Sequence, residues 1–206
     1  MNATLTLAPA LLLAGLAASA FTAKEAPAPA PAQPIAAAAS YKIDAGHSFV
    51  MFRVMHLGIG AAYGQFRDVQ GELVYDADQP ANSSISVTID AASIDTNNAD
   101  RDKHLRGADF FSVKEFPEIT FKSTKIEAAG EGKYKITGML KMHGVEKQVT
   151  ASGKLLGAGK DPWGNTRVGL EAEFKVDRLA YGVDYMPEGL GKEVEVVIAV
   201  EGILAE

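Results

Sequence analysis

Four histidines and no cysteine set the chemistry open to this chain of 206 residues. Without thiols there is no disulfide, no thiol nucleophile, no zinc–thiolate site and no iron–sulfur cluster. The histidines stand at His47, His56, His104 and His143. No two have the close spacing with which a helix or tight loop presents paired ligands to one metal. His47 and His56 share one extended run, and nine residues at about 3.3 Å each put them far beyond a single ion's reach. No metal ligand is assigned. Ser48 follows His47, but neighbours on a strand point to opposite faces, so adjacency makes no nucleophile–base pair. The sequence has no Gly-x-Ser-x-Gly, no His-Glu-x-x-His and no glycine-rich phosphate loop. No catalytic residue is assigned, and the chain is not read as an enzyme.

The run that carries two of these histidines, His47 to Leu57, is the clearest element. Ser48, Val50, Phe52, Val54 and His56 fall on one face, and Phe49, Met51, Arg53 and Met55 on the other. A period of two is a strand signal. Large apolar groups on both faces mean that both must be covered, by a core, a neighbouring sheet, a ligand or a partner. The same alternation recurs over Ser84–Asp90, Ile119–Lys122, Tyr134–Met142, Val145–Leu156, Val168–Val176 and Lys192–Ile203. Residues 63–76 read as a strand interrupted near Asp68 and Gly71, where a glycine suggests a bulge or bend. Turns are expected at residues 78–82, at Gly130–Gly132, at His143–Gly144 and in a loop over Gly157–Asn165. One helix is expected over Asn97–Leu105, capped by Asn97 or Asn98 and stopped at Gly107. Asp109-Phe110-Phe111 follows as an aromatic patch without an evident home. About eight strands, short turns and one or two short helices make an all-β antiparallel sheet closed into a barrel. Closure removes exposed edges. Such a barrel is just wide enough for side chains or one slender ligand.

The formal net charge is −6, and residues 1–39 contain only one lysine and one glutamate, so the acidity belongs to the rest of the chain. With no basic run, nucleic acid is a poor partner. Residues 1–20 read as a signal peptide: an apolar run from Leu5 to Leu16, too short to span a bilayer, then Ala18-Ser19-Ala20 as a small-x-small cleavage signal. Its first residues lack the usual lysine or arginine, which leaves an uncleaved membrane anchor as the alternative. Residues 21–39 are an Ala/Pro-rich linker, extended and semi-rigid by composition. The folded domain is assigned to 40–206. The expected product is a periplasmic protein with no transmembrane segment in its mature form. At about 165 residues such a domain buries roughly 70% of its unfolded surface and needs no disulfide.

The order and spacing of several motifs resemble the YceI-like family. They are His47-Ser48-x-Val50-x-Phe52-x-Val54-x-His56-Leu57-Gly58, Gly64-x-Phe66, Ser93-Ile94-Asp95-Thr96 and Arg101-Asp102-x-His104-Leu105 leading to Asp109-Phe110-Phe111. Pro117-x-Ile119-Thr120-Phe121-Lys122-Ser123, Thr137-Gly138-x-Leu140-x-Met142-His143-Gly144-Val145 and Arg178-x-x-Tyr181-Gly182 complete the series. The resemblance spans about residues 41–203. Met142 and Tyr181 depart from it, a β-branched or polar residue and a phenylalanine being expected there.

The resemblance implies a lipocalin-like barrel that binds a polyisoprenoid or similar long-chain amphiphile non-covalently, with no cofactor besides that ligand. On this reading the recurrent apolar face lines the interior: Val50, Phe52, Val54, Phe66, Val87, Ile89, Ile119, Phe121, Leu140, Phe174, Val176, Val196 and Ile198. Alternation alone equally allows these side chains to fill the barrel as a packed core. His47, Arg101, Asp102, His104 and Arg178 are the polar residues assigned to a head group at the rim. Arg101 and Asp102 serve equally well to cap the helix and fix it over one end, and Arg178 to pair with a carboxylate at a strand end. Two other functions fit the same elements: a factor or enzyme of isoprenoid-quinone metabolism, and an interaction module with a filled barrel. Outward Phe49 and Met51 give a homodimer a surface on which to form.

Overall fold

Alternating apolar residues cannot be buried by a single flat sheet, and this chain buries them by rolling the sheet shut. The structure, a computed structural model, describes residues 38–205; the predicted signal peptide and nearly all of the linker lie outside the described residues. The strands are β1 (Ala39–Ile43), β2 (Phe49–His56), β3 (Gly60–Phe66), β4 (Val69–Tyr75), β5 (Ser84–Asp90), β6 (Ile94–Asp95), β7 (Glu118–Ala128), β8 (Lys133–Met142), β9 (Val145–Lys160), β10 (Thr166–Asp177) and β11 (Leu190–Leu204). All pair antiparallel, and the ring closes where β1 joins both β4 and β11.

Eight staves make the barrel, because three of them are broken strands. β1 and β2 run end to end along β11, β3 and β4 form the next stave, and β5 and β6 the third. The first break is a 3-10 turn at Ala45–His47, where the Gly46 amide donates to Asp44 Oδ1 at 3.0 Å. The third is a 3-10 turn at Ala91–Ser93, where the Ala92 amide donates to Asp90 Oδ1 at 2.8 Å. The second break falls at Arg67–Asp68. It was expected to extend to Gly71, but the ladder continues in register there, Gly71 facing Val87. Gly71 has φ +154°, and a Cβ on it would run into the Ser86 carbonyl oxygen, so the glycine permits a close strand approach rather than a break.

The expected helix forms as α1 (Ala99–Leu105). Asn98 is its cap, its Oδ1 accepting from the Arg101 amide at 2.9 Å, while Asn97 takes a left-handed conformation just before it. β9 runs to Lys160, into the segment expected as a loop from Gly157, because Gly157–Lys160 pair with Thr166–Gly169.

One end of the barrel carries the β2–β3 hairpin, residues 91–117 with α1, the His143–Gly144 turn and residues 178–189. The other carries residues 76–83, 129–132 and 161–165. The β9–β10 ladder stops at the Ser152–Glu173 pair. Above it, β9 is laddered to β8 and β10 to β11, and the seam is spanned at the loop end by His143 Nδ1 donating to the Tyr181 carbonyl at 3.2 Å. Inside, Val69, Val87 and Ile94 are fully buried along the upper wall, and Tyr41, Leu73 and Val168 seal the other end.

Candidate ligand cavity

The inward face does not fill the barrel. A cavity of about 140 Å³ occupies the half nearer α1, far more than the few water-sized voids left in a close-packed core. Every apolar residue that the resemblance assigned to the interior lies on its wall, from Val50, Phe52 and Val54 on β2 to Val196 and Ile198 on β11. Period-two alternation puts them there: each stave offers residues i, i+2 and i+4 to one side, and closure makes that side the inside.

The wall also takes residues that the inward face had not included. Leu105 comes from the last turn of α1, Phe110 and Phe111 from the turns after it, Met142 from the end of β8, Val183 from the loop before β11, and Leu190 and Val194 from β11 itself. Val194 shares its face with Val196 and Ile198, so alternation already pointed to it. The loop residues have no periodicity to reveal them, but the unplaced Phe110-Phe111 pair was a signal of composition. Phe111 meets Phe66 edge-on with centroids 5.6 Å apart, and Phe66 meets Phe52 at 5.8 Å, a run of three rings along one wall.

No polar atom faces the cavity, and Arg178 is the sole polar residue on its wall. Arg178 is 5% exposed. Its guanidinium points away from the cavity space into a nest of carbonyls: Nε donates to Gly191 O at 2.9 Å, Nη1 to Val183 O at 2.6 Å and Tyr185 O at 3.0 Å, and Nη2 to Leu190 O at 3.0 Å. Burial pulls its pKa down, with Asp184 and Asp177 opposing the shift. A cation with its donors spent in this way fastens residues 183–191 over the barrel end, and its partners are carbonyls, not a carboxylate at a strand end.

The other polar residues assigned to the rim each have a protein partner. His47 is on the outer side at the β1–β2 break, its Nδ1 donating to Asp44 Oδ2 at 2.9 Å. Arg101 Nε donates to Thr96 Oγ1 at 2.7 Å and Nη2 to the Thr96 carbonyl at 2.6 Å, while the buried Asp102 accepts from the Thr96 amide at 2.9 Å and from its hydroxyl. This pair positions α1, the structural role that the sequence left open for it. His104 Nε2 donates to Asp109 Oδ2 at 2.9 Å, and its ring lies 5.1 Å from those of both Phe110 and Tyr185, tying the α1 region to the 183–191 loop. None of these four side chains is on the cavity wall.

Farther out, Arg167 binds Asp44 and Asp161 at 2.8 Å and Glu201 at 2.7 Å, which pins the kinked first stave to β10, β11 and the 161–165 turn. The Arg167 and His47 hydrogen bonds hold the Asp44 carboxyl down at about 2. Among the described residues no cluster of three His, Asp or Glu is arranged to hold a metal ion, and no helix is long and apolar enough to cross a membrane.

Known proteins share this architecture. The profile of the YceI-like domain matches residues 41–202. Protein YceI of Salmonella arizonae is 45% identical over 170 residues, covering 82% of this chain and 88% of that protein. Among solved structures, the Campylobacter jejuni YceI protein superposes with a TM-score of 0.65 at 28% identity, over 74% of this chain and 90% of its own. Burkholderia cenocepacia BcnA, at 24% identity, gives a TM-score of 0.71 over 77% of this chain and 98% of its own. A polyisoprenoid binding domain from Saccharophagus degradans, at 14% identity, gives 0.65 over 81% and 99%, a likeness of fold.

Proposed function

The chain belongs to the YceI-like family, and we propose that it binds a polyisoprenoid or similar long-chain lipid inside its barrel and stores or carries it. The observation that supports this most directly is an upper cavity to which no polar atom is exposed. An apolar cavity offers water no hydrogen-bond partners and so favours an apolar guest. Transfer of a tail from water is worth about 25 cal/mol per Å² of apolar surface covered, without any directional bond. The related fold from Saccharophagus degradans, a polyisoprenoid binding domain, makes isoprenoid chains the class to test first.

With the Arg178 donors spent on backbone carbonyls, the wall recognises the tail and leaves the head group at the loop end. The mechanism is non-covalent, with no chemical step and no cofactor. The signal-like residues 1–20 and the Ala/Pro-rich linker support export, signal-peptide cleavage and a periplasmic site of action. Phe49 and Met51, 48% and 42% exposed on the outer face of β2, are the surface on which a second copy would pack.

The test is mass spectrometry of an organic extract from protein exported and purified without detergent. A stoichiometric prenyl lipid is the expected result. Protein that emerges empty and also refuses added prenyl alcohols and quinones would overturn the reading.

A further inference from the structure

Below the main cavity lies a second one of about 40 Å³. Four residues line both: Val87, Phe121, Phe174 and Ile198. Their places in the ring explain why. Counting round the eight staves, the one carrying Val87 is opposite β10 with Phe174, and β7 with Phe121 is opposite β11 with Ile198. Side chains from two pairs of opposite walls thus stand between the two cavities and make a waist. Phe121 is drawn to its own wall by Gly138, whose missing side chain leaves the space that the ring uses; a Cβ there would lie within 2.6 Å of Phe121 Cε2.

The lower chamber has the character of the upper one. Glu171 is the charged residue on its wall, but no polar atom faces the space, so a water molecule there would lack the two to four partners that hold one in place. Ala151 and Ala172 on its wall are small where Phe121 and Phe174 above them are large. Its floor is closed. Ile85 and Leu170 line the chamber and pack against the buried cluster of Tyr41, Leu73, Tyr75 and Val168, and the Tyr75 hydroxyl reaches that of Tyr134 at 3.2 Å. From Phe174 down to Leu170 is four strand residues, which at about 3.3 Å each and a tilt of about 40° puts waist and floor roughly 10 Å apart, and the space of about 40 Å³ left between their side chains is room for about one five-carbon unit.

We infer that the lower chamber is a second subsite, which takes the far end of an apolar chain past the Phe121–Phe174 waist and so makes the protein discriminate by chain length. This rests on the lipid-carrier reading above. A short chain is satisfied by the upper chamber; a longer one gains the lower chamber and stops at the tyrosine floor.

The experiment compares farnesol with solanesol on the delipidated protein, by native mass spectrometry and competition, in wild type, Ala151→Leu and Phe174→Leu. Ala151→Leu fills the lower chamber. It should weaken solanesol about tenfold while leaving farnesol unchanged, a tenfold change being one decade of Kd. Phe174→Leu widens the waist and should shift preference toward solanesol. Should Ala151→Leu fail to fold by circular dichroism, Ala172→Val carries the same expectation. Equal losses for both alcohols, or no loss of solanesol, would overturn the subsite and leave the carrier reading standing. Wild type that binds neither alcohol would overturn both.

Discussion

The ring of Phe121 lies against Gly138 on the neighbouring strand, in space that any other residue at 138 would fill. A Cβ at that position would collide with the ring and with the Lys122 carbonyl oxygen. Gly138→Ala therefore has to push the ring toward the barrel axis or open the β7–β8 ladder. Overpacking of this kind costs about 1–3 kcal/mol. The expected outcome is a lower thermal midpoint together with less co-purified lipid per protein, measured on the same preparation. An alanine variant with unchanged stability and full lipid content would show that the Phe121 position is not set by Gly138.

Arg178 is a buried cation whose partners are backbone carbonyls of residues 183–191. Removing it strands several buried carbonyls at once, a loss of about 3–5 kcal/mol by analogy with broken buried ion pairs. Arg178→Lys keeps the charge but lacks the planar fork, so it should recover only a minor part. Urea midpoints for wild type, Arg178→Lys and Arg178→Ala should fall in that order. Amide exchange should accelerate in 183–191 before it does in β10. Uniform acceleration across the barrel would mean that Arg178 supports the fold in general and not that loop.

How far the sequence reached follows from which signals are periodic. Val87, Phe121 and Phe174 could be placed on one inner face because strand residues alternate and the motif order fixed which side was inside. Nothing comparable exists for Leu105 or Val183, which reach the cavity from a helix end and a loop. The partners of the polar residues were hidden for another reason. His47, Arg101 and His104 look alike in sequence, as polar groups near strand ends, but their partners Asp44, Thr96 and Asp109 are set by local turns. Arg178 pairs with carbonyls, which every residue has, so no residue type announces its partner. The waist was illegible because it depends on which staves face each other across the ring.

Asp44 ties stability to pH. Its carboxyl, at about 2 in the folded protein against an ordinary 3.8, is held down first by Arg167 and then by His47. A lowered folded pKa stabilises the protein above the unfolded value, and that stabilisation disappears as pH falls through the folded one. The window is therefore about pH 4 down to 2. Arg167→Gln lets Asp44 rise toward its ordinary value, so the variant should melt earlier at pH 7 and lose less on going from pH 4 to pH 2. Thermal melts across that range give the two slopes. Parallel slopes would falsify a role for the Arg167–Asp44 pair in acid stability.

Phe52 and Phe49 sit three residues apart on β2 and test which face is inside. Phe52 is on the cavity wall in contact with Phe66, while Phe49 is 48% exposed outside. Phe52→Asp places a carboxyl where no polar atom faces the cavity. An ionised group there is opposed by desolvation, so its pKa must rise, and whatever charge remains draws water into the space that the tail needs. Lipid retention should be lost at pH 8, where the carboxylate forms, and return in part near pH 5, where the neutral acid is the favoured form. Phe49→Asp adds the same charge to a solvated face and should retain lipid at both values. Extracts of the two variants, prepared at both pH values and quantified against protein that is folded by circular dichroism, decide the matter. Full retention by folded Phe52→Asp at pH 8 would put Phe52 on the outer face of the barrel, because a carboxylate is tolerated only on the side that water already wets.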